Sequence, residues 1–168
     1  MQNELQILEK QKAVTCCVAG HRDLAAEYLC EIRQSIDREI RQAANDGYIF
    51  FLTDFKEGTD QLFAEIVKDI AKEIPHIHLV ALLPYRSKFD KLMQDDYAGP
   101  LLGACSDIGY ACERYARNSD FICRRRLLGY SSRMITVYDG RDDGGTVSAI
   151  RMAHVQRLKI REIAPGLK

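Results

Sequence analysis

The sequence predicts an α/β protein: a Rossmann-like three-layer sandwich with a mainly parallel sheet of five or six strands. Three observations predict it. Short β-like runs alternate with longer segments of helical period. The runs are almost continuously apolar, as strands buried on both faces are. A cluster of Gly, Asp, Arg or Asn follows most of the strand-like runs, at the edge where open parallel sheets bind ligands.

The elements follow in chain order. Residues 13–19 (AVTCCVA) read as the first strand, and Leu24, Tyr28, Ile32, Ile36, Ile40 and Ala44, spaced by four, mark an amphipathic helix behind it. Residues 48–53 (YIFFLT) form a second strand, and Leu62, Phe63, Ile66, Val67, Ile70 and Ile74 mark the next buried stripe. The third strand is HLVALL, residues 78–83, ended by Pro84. A helix over 87–97, a short strand over 107–111 and a helix over 115–128 come next. Residues 134–138 (MITVY) are a fifth strand, 147–158 a fifth crossing helix, and 159–163 an added edge strand. The first 12 residues read as a lead-in segment, and 13–168 as one domain.

A chain of 168 residues with 46% apolar and 29% charged composition fits one soluble core and excludes disordered or fibrous classes. The longest stretch without Asp, Glu, Lys or Arg runs from Ile74 to Tyr85, too short for a membrane helix, and the N-terminus carries charges where a signal peptide is apolar. The expectation is a cytoplasmic protein with no membrane contact. Acidic and basic residues balance at 24 each, yet residues 1–112 hold 12 basic and 18 acidic side chains, while 113–168 hold 12 and 6. Arginine is thus concentrated where an anionic ligand is to be held, without an extended basic surface. The six cysteines include no C-x-x-C pair, and adjacent Cys16 and Cys17 point to opposite faces of a strand, so buried reduced thiols are expected.

The chemistry is expected in the turns. Gly20, His21 and Arg22 follow the first strand; Gly58, Thr59 and Asp60 lie between the second strand and its helix; Pro84 and Tyr85 end the third. Arg117 and Asn118 follow the fourth, and Asp139, Gly144, Gly145 and Thr146 the fifth. Gly58-Thr59 and Gly144-Gly145-Thr146 each open a helix, whose free N–H groups and dipole favour a phosphate, and Arg22 and Arg117 can grip it bidentately. His21 has the pKa range of an acid or base. His76 and His78 share a face but lack a third ligand, so no metal is expected. Neither a P-loop nor a G-x-G-x-x-G fingerprint is present.

Together VAGHRDL (18–24), EGTDQLFAEIV (57–67), LLPY (82–85), YARNSDFI (115–122) and VYDGRDDGGT (137–146) resemble the YpsA-like (DUF1273) branch of the SLOG superfamily, related to the LOG and DprA Rossmann-like proteins. The resemblance covers nearly the whole chain after residue 13. It implies a Rossmann-like sheet, a bacterial sensor domain linked to stress or cell division, a homodimer, and a small-molecule nucleotide-like ligand related to ADP-ribose or NAD, with no required cofactor. The alternative it implies is a LOG-like nucleotide N-glycosidase. The carboxylate that LOG relatives need falls on Ala149 here, leaving Asp60, His21 and Asp139 as catalytic candidates. For Asp60, a place in the first turn of a helix favours the charged form and does not raise the pKa. A DprA-like DNA-processing accessory ranks last and nucleic acid is not expected as a partner, because no aromatics interleave with a basic patch along the chain.

Overall fold

A computed structural model describes residues 8–166; most of the predicted lead-in segment lies outside them. Six strands, β1 (Thr15–Gly20), β2 (Phe50–Thr53), β3 (His78–Tyr85), β4 (Asp107–Cys112), β5 (Arg133–Val137) and β6 (Lys159–Ile163), form one sheet in the order β4-β3-β2-β1-β5-β6. Every pairing is parallel, from Thr15 opposite Phe50 to Val137 opposite Ile163. The first four strands build outward from β1; the chain then crosses back and adds β5 and β6 on the other side of β1. The order therefore reverses between β1 and β5, which opens a crevice beyond their carboxyl ends.

The helices are α1 (Leu29–Asn45), α2 (Thr59–Glu73), α3 (Lys88–Met93), α4 (Ala98–Gly103), α5 (Ser119–Gly129) and α6 (Gly145–Val155). Ile32, Ile36 and Ile40 of α1 and Phe63, Val67 and Ile70 of α2 pack with Cys16, Phe51 and Ala81 on one face of the sheet. Cys123, Leu127 and Leu128 of α5 and Ala149 and Ala153 of α6 pack with Cys17, Leu52 and Leu82 on the other. The sheet is thus covered on both sides, and Cys16 and Cys17 belong to opposite core layers, as strand alternation requires. Edge strand β6 is charged on its exposed side, where Arg161 pairs with Glu39 at 2.7 Å, so it is a poor template for further pairing.

Several element boundaries differ from the sequence reading. The helix expected over 87–97 is two short helices, because Asp95 Oδ1 accepts the N–H groups of Tyr97 and Ala98 at 2.9 and 2.8 Å and restarts the chain in a new direction. β3 runs through Pro84 to Tyr85: β2 ends at Thr53, opposite Ala81, so the missing N–H of Pro84 has no second strand to serve. Tyr115–Asn118 is a loop in which Ser119 Oγ accepts the N–H of Ala116 at 2.7 Å, and α5 starts only at Ser119. The helix after β5 begins two residues early, at Gly145.

Among the described residues no helix is long and apolar enough to cross a membrane.

Candidate functional site

A cleft of about 380 Å³ lies at the reversal point, walled by the loops after β1, β2 and β5 and by α5 and α6. Gly20, His21, Arg22, Asp60, Gly144, Gly145 and Thr146 of the expected set line it. Gly58, Thr59, Pro84, Tyr85, Arg117, Asn118 and Asp139 do not line it. Asp23, Asp54, Lys56, Asp120, Arg124, Arg141 and Asp143 also line it.

Gly58-Thr59 turns out to hold the wall in place. The Thr59 N–H and hydroxyl both donate to the His21 carbonyl, at 3.2 and 2.9 Å, and Thr59 is fully buried. A Cβ on Gly20 would stand 2.4 Å from the Thr59 side chain, so glycine lets β1 meet α2. The Gln61 N–H is taken by the Lys56 carbonyl. The first turn of α2 is therefore largely satisfied by the chain itself. That of α6 is different: Gly144 has φ +104, no side chain caps the helix, and Gly145 leaves its backbone open beside the Arg124 guanidinium. A Cβ at Gly145 would lie 2.9 Å from Arg124 Nη2.

Four cations line the cleft. Lys56 Nζ pairs with Asp54 Oδ2 at 3.1 Å, and Arg141 pairs with Asp23 at 3.2 Å and with Asp139 at 2.6 Å. Arg22 and Arg124 form no ion pair among the described residues, and Arg124 touches only the hydroxyl of Ser148, at 3.5 Å. Arg124, Arg125 and Arg126 go separate ways. Arg125 is solvated, while Arg126 donates to the carbonyls of Tyr110 and Ala111 and ties α5 to β4.

Asp54 and Asp60 are 5% and 4% exposed. Burial, then the neighbouring charge of Asp54 and a hydrogen bond shared with it, push the Asp60 carboxyl well above the ordinary carboxylate range. Burial raises Asp54 too, but Lys56 and the proton shared with Asp60 outweigh it and hold Asp54 low. The Asp60 pKa is thus moved up, which corrects the expectation drawn from its helix position. The loop that presents Asp54 is bent: Phe55, fully buried, sits at φ +62, where Thr53 Oγ1 accepts its N–H and Gln61 donates to its carbonyl. Ala149 lines the cleft with a methyl group where the LOG resemblance would require a carboxylate.

His21 is buried, and its Nε2 accepts the N–H of Asp139 at 3.2 Å. Burial and the Arg141 charge lower its pKa below the ordinary 6.5, against the opposing pull of Asp139. Arg141 in turn holds the Asp139 carboxyl far below the usual range and clasps the loops after β1 and β5 together. A histidine depressed on folding adds stability that is complete above its unfolded pKa and is lost as pH falls through the folded value. The His21 ring resonances are therefore expected to titrate with a midpoint below 6.5 in an NMR pH series; a midpoint at or above that value would mean that Nε2 does not serve as an acceptor near neutrality.

Beside the cleft, at the carboxyl ends of β3 and β4, aromatic and cationic side chains gather. Tyr85 and Tyr115 meet edge to face at 5.3 Å, and the Arg86 guanidinium lies 4.4 Å from the centre of the Tyr110 ring. Tyr115 is 71% exposed and Phe121, on the first turn of α5, 47%. Arg114 and Arg117 are exposed in the same connection. Arg114, Tyr115, Arg117 and Phe121 interleave in the chain itself, a signal that the sequence reading passed over.

No protein-family model matches the chain, and no curated protein matches it in sequence. Among solved structures, DNA processing protein A from Helicobacter pylori, described for its single-stranded DNA binding mode, matches 96% of this chain and 70% of its own, with a TM-score of 0.69 and 15% identity. The likeness is one of fold, a Rossmann-like parallel sheet. It corrects the expectation about partners: a protein of this fold binds single-stranded DNA, so nucleic acid cannot be set aside on sequence grounds.

Proposed function

We propose that the chain binds single-stranded nucleic acid at the carboxyl edge of its sheet, as a DprA-like member of the SLOG superfamily. A phosphate is held between the N-terminus of α6, Arg22 and Arg124, and neighbouring bases stack on Tyr115 and Phe121. The observation that carries this reading is the state of the cations: two of the four in the cleft are spent on internal ion pairs, and the two that remain are guanidinium groups, one beside an uncapped glycine helix start. The fold shared with a single-stranded DNA-binding protein supports the same class of partner. Tyr115 precedes α5, the helix that supplies Arg124, so a strand held at Arg124 has an aromatic face within its next few nucleotides.

The test is a fluorescence anisotropy titration with a labelled single-stranded oligonucleotide at several salt concentrations. Binding is expected to weaken linearly in log–log form with salt, and Tyr115→Ala is expected to lower affinity about tenfold, the loss of one stacked base. A duplex bound as tightly as the single strand, or a Tyr115→Ala variant indistinguishable from the parent, would contradict the stacking role. No binding at ~50 mM salt would overturn the proposal, since phosphate contacts are strongest there.

A further inference from the structure

Past the cleft, at the carboxyl ends of β3 and β4, a second groove of about 620 Å³ opens between the start of α3 and the connection that leaves β4. Arg86, Phe89, Asp90, Tyr110, Arg114 and Tyr115 are in its wall, and it shares no lining residue with the cleft. Arg86 Nε donates to Glu113 Oε1 at 2.6 Å and Nη2 to Oε2 at 3.4 Å, so both carboxylate oxygens hold the guanidinium fork. Its central carbon lies 4.4 Å from the centre of the Tyr110 ring, a ring that itself packs against the core. Tyr115 meets Tyr85 edge to face at 5.3 Å and is 71% exposed. The groove thus offers a steadied guanidinium on an aromatic ring and an open ring beside it.

The charges say which part of a strand enters. Arg86 and Arg114 are balanced by Asp90 and Glu113, so the groove has no net charge to draw a phosphate inside. A nucleobase is neutral, and aromatic rings and guanidinium planes are the surfaces on which unstacked bases settle. The sheet order fixes the spacing: β1 and β4 are three strands apart, about 14 Å. That is about four nucleotides at the rise of about 3.4 Å of a stacked strand. Between the two sites lies the first turn of α5, with Phe121 exposed, and the same helix supplies Asp120 and Arg124 to the cleft. Resting on the strand-binding reading above, we infer that the groove is a second site, for a nucleobase of the same strand. The base lies beside Tyr115 and extends the Tyr110–Arg86 stack, while the cleft holds a phosphate about four nucleotides away. Glu113 is a positioning residue that keeps the guanidinium in place, and exposed Arg114 is at hand for the phosphate next to the base. The strand is gripped at two points, and its affinity depends on reaching both.

The experiment titrates labelled oligothymidylates of about three and about ten nucleotides, the first too short to span both sites, into the wild-type protein and Arg86→Lys. Extra registers alone favour a longer strand, so the comparison is between proteins. Lysine keeps the charge and a partner for Glu113 but not the plane. Arg86→Lys is expected to bind the long strand about tenfold more weakly, the loss of one stacked base, and the short strand as the parent does. A second measurement uses the wild-type protein alone: a long strand carrying 5-iodouracil is irradiated on it and the cross-linked tryptic peptides are identified. Cross-links are expected on the peptides that carry Phe89 or Tyr110, which cleavage after Lys91 and Arg114 separates from those of Tyr115 and Phe121. Should Arg86→Lys fail to fold, this map decides alone. An Arg86→Lys variant that binds the long strand like the parent, or cross-links confined to Tyr115 and Phe121, overturns the groove as a base site and leaves strand binding at the cleft intact. Binding of neither length at ~50 mM salt overturns the strand reading itself.

Discussion

Replacing Arg22 and Arg124 together by alanine is expected to lower affinity for single-stranded DNA by about a hundredfold, while leaving the thermal transition unchanged. Each guanidinium is a charge-assisted donor to phosphate, worth about 1.5–3 kcal/mol when its partner is lost, so a single removal is felt about tenfold and the pair multiplies. The fold has little to lose. Arg22 is exposed, and Arg124 reaches only the Ser148 hydroxyl at 3.5 Å. A second readout separates phosphate contact from a shape effect. If the two arginines neutralise that phosphate, the slope of log affinity against log salt becomes shallower, by about 0.7 for one phosphate contact to a single strand. Lysine at both positions is expected to keep that slope and recover only part of the affinity, because a point charge replaces a planar fork. A double alanine variant that binds like the parent, with the same salt slope, would move the phosphate site away from this cleft.

Gly58→Ala is expected to destabilise the protein by about 3 kcal/mol or more, the sum of backbone strain and overpacking. Gly58 has φ +78 and ψ −122, a region that side-chain-bearing residues scarcely enter. A Cβ there would stand 2.4 Å from the Arg22 carbonyl oxygen, 2.6 Å from that of His21 and 2.7 Å from the Arg22 Cα, all of them backbone atoms that cannot rotate aside. The same turn carries the two Thr59 bonds to the His21 carbonyl, so displacing it loosens the cleft wall as well as the core. Gly47→Ala is the matched comparison: its φ is +97, but nothing lies within 4 Å of an added Cβ. It is expected to cost about 1 kcal/mol, from backbone strain alone. In a chain of this size a difference of about 2 kcal/mol corresponds to a melting temperature about 4–8 °C lower for Gly58→Ala than for Gly47→Ala. Equal melting temperatures for the two variants would show that the approach of Gly58 to the β1 loop is not needed.

Most of the fold was legible in the residues because its signals are local. A period near four in Ile32, Ile36 and Ile40 and near-continuous apolar runs such as residues 78–83 report which face of an element is buried, whatever it packs against. Alternation along β1 likewise separates Cys16 from Cys17 before any neighbour is known. The carboxyl edge could be located as well, since parallel strands joined by helices place every strand-to-helix turn on one side.

What the turns do was decided by groups distant in sequence. Gly58-Thr59 and Gly144-Gly145-Thr146 look alike as strings, yet the first is closed by the His21 carbonyl, 38 residues away, and the second stays open. Three consecutive arginines became a cleft lining, a solvated side chain and a tether to β4 only through the rotation of α5 against its neighbours. The Asp60 pKa is raised because burial removes water and brings Asp54 against it, an effect that outweighs the helix dipole. Tyr85, Tyr110 and Tyr115 form an aromatic edge with Arg86 because β3 and β4 are neighbours. The physical division is one of range. Periodicity, chirality and turn chemistry act over a few residues, so the sequence by itself determined the elements, their buried faces and the edge they share. Charge pairing, desolvation and backbone closure act through space, so only the tertiary structure decided which cations stay unpaired, which acid has its pKa raised and which helix start remains open.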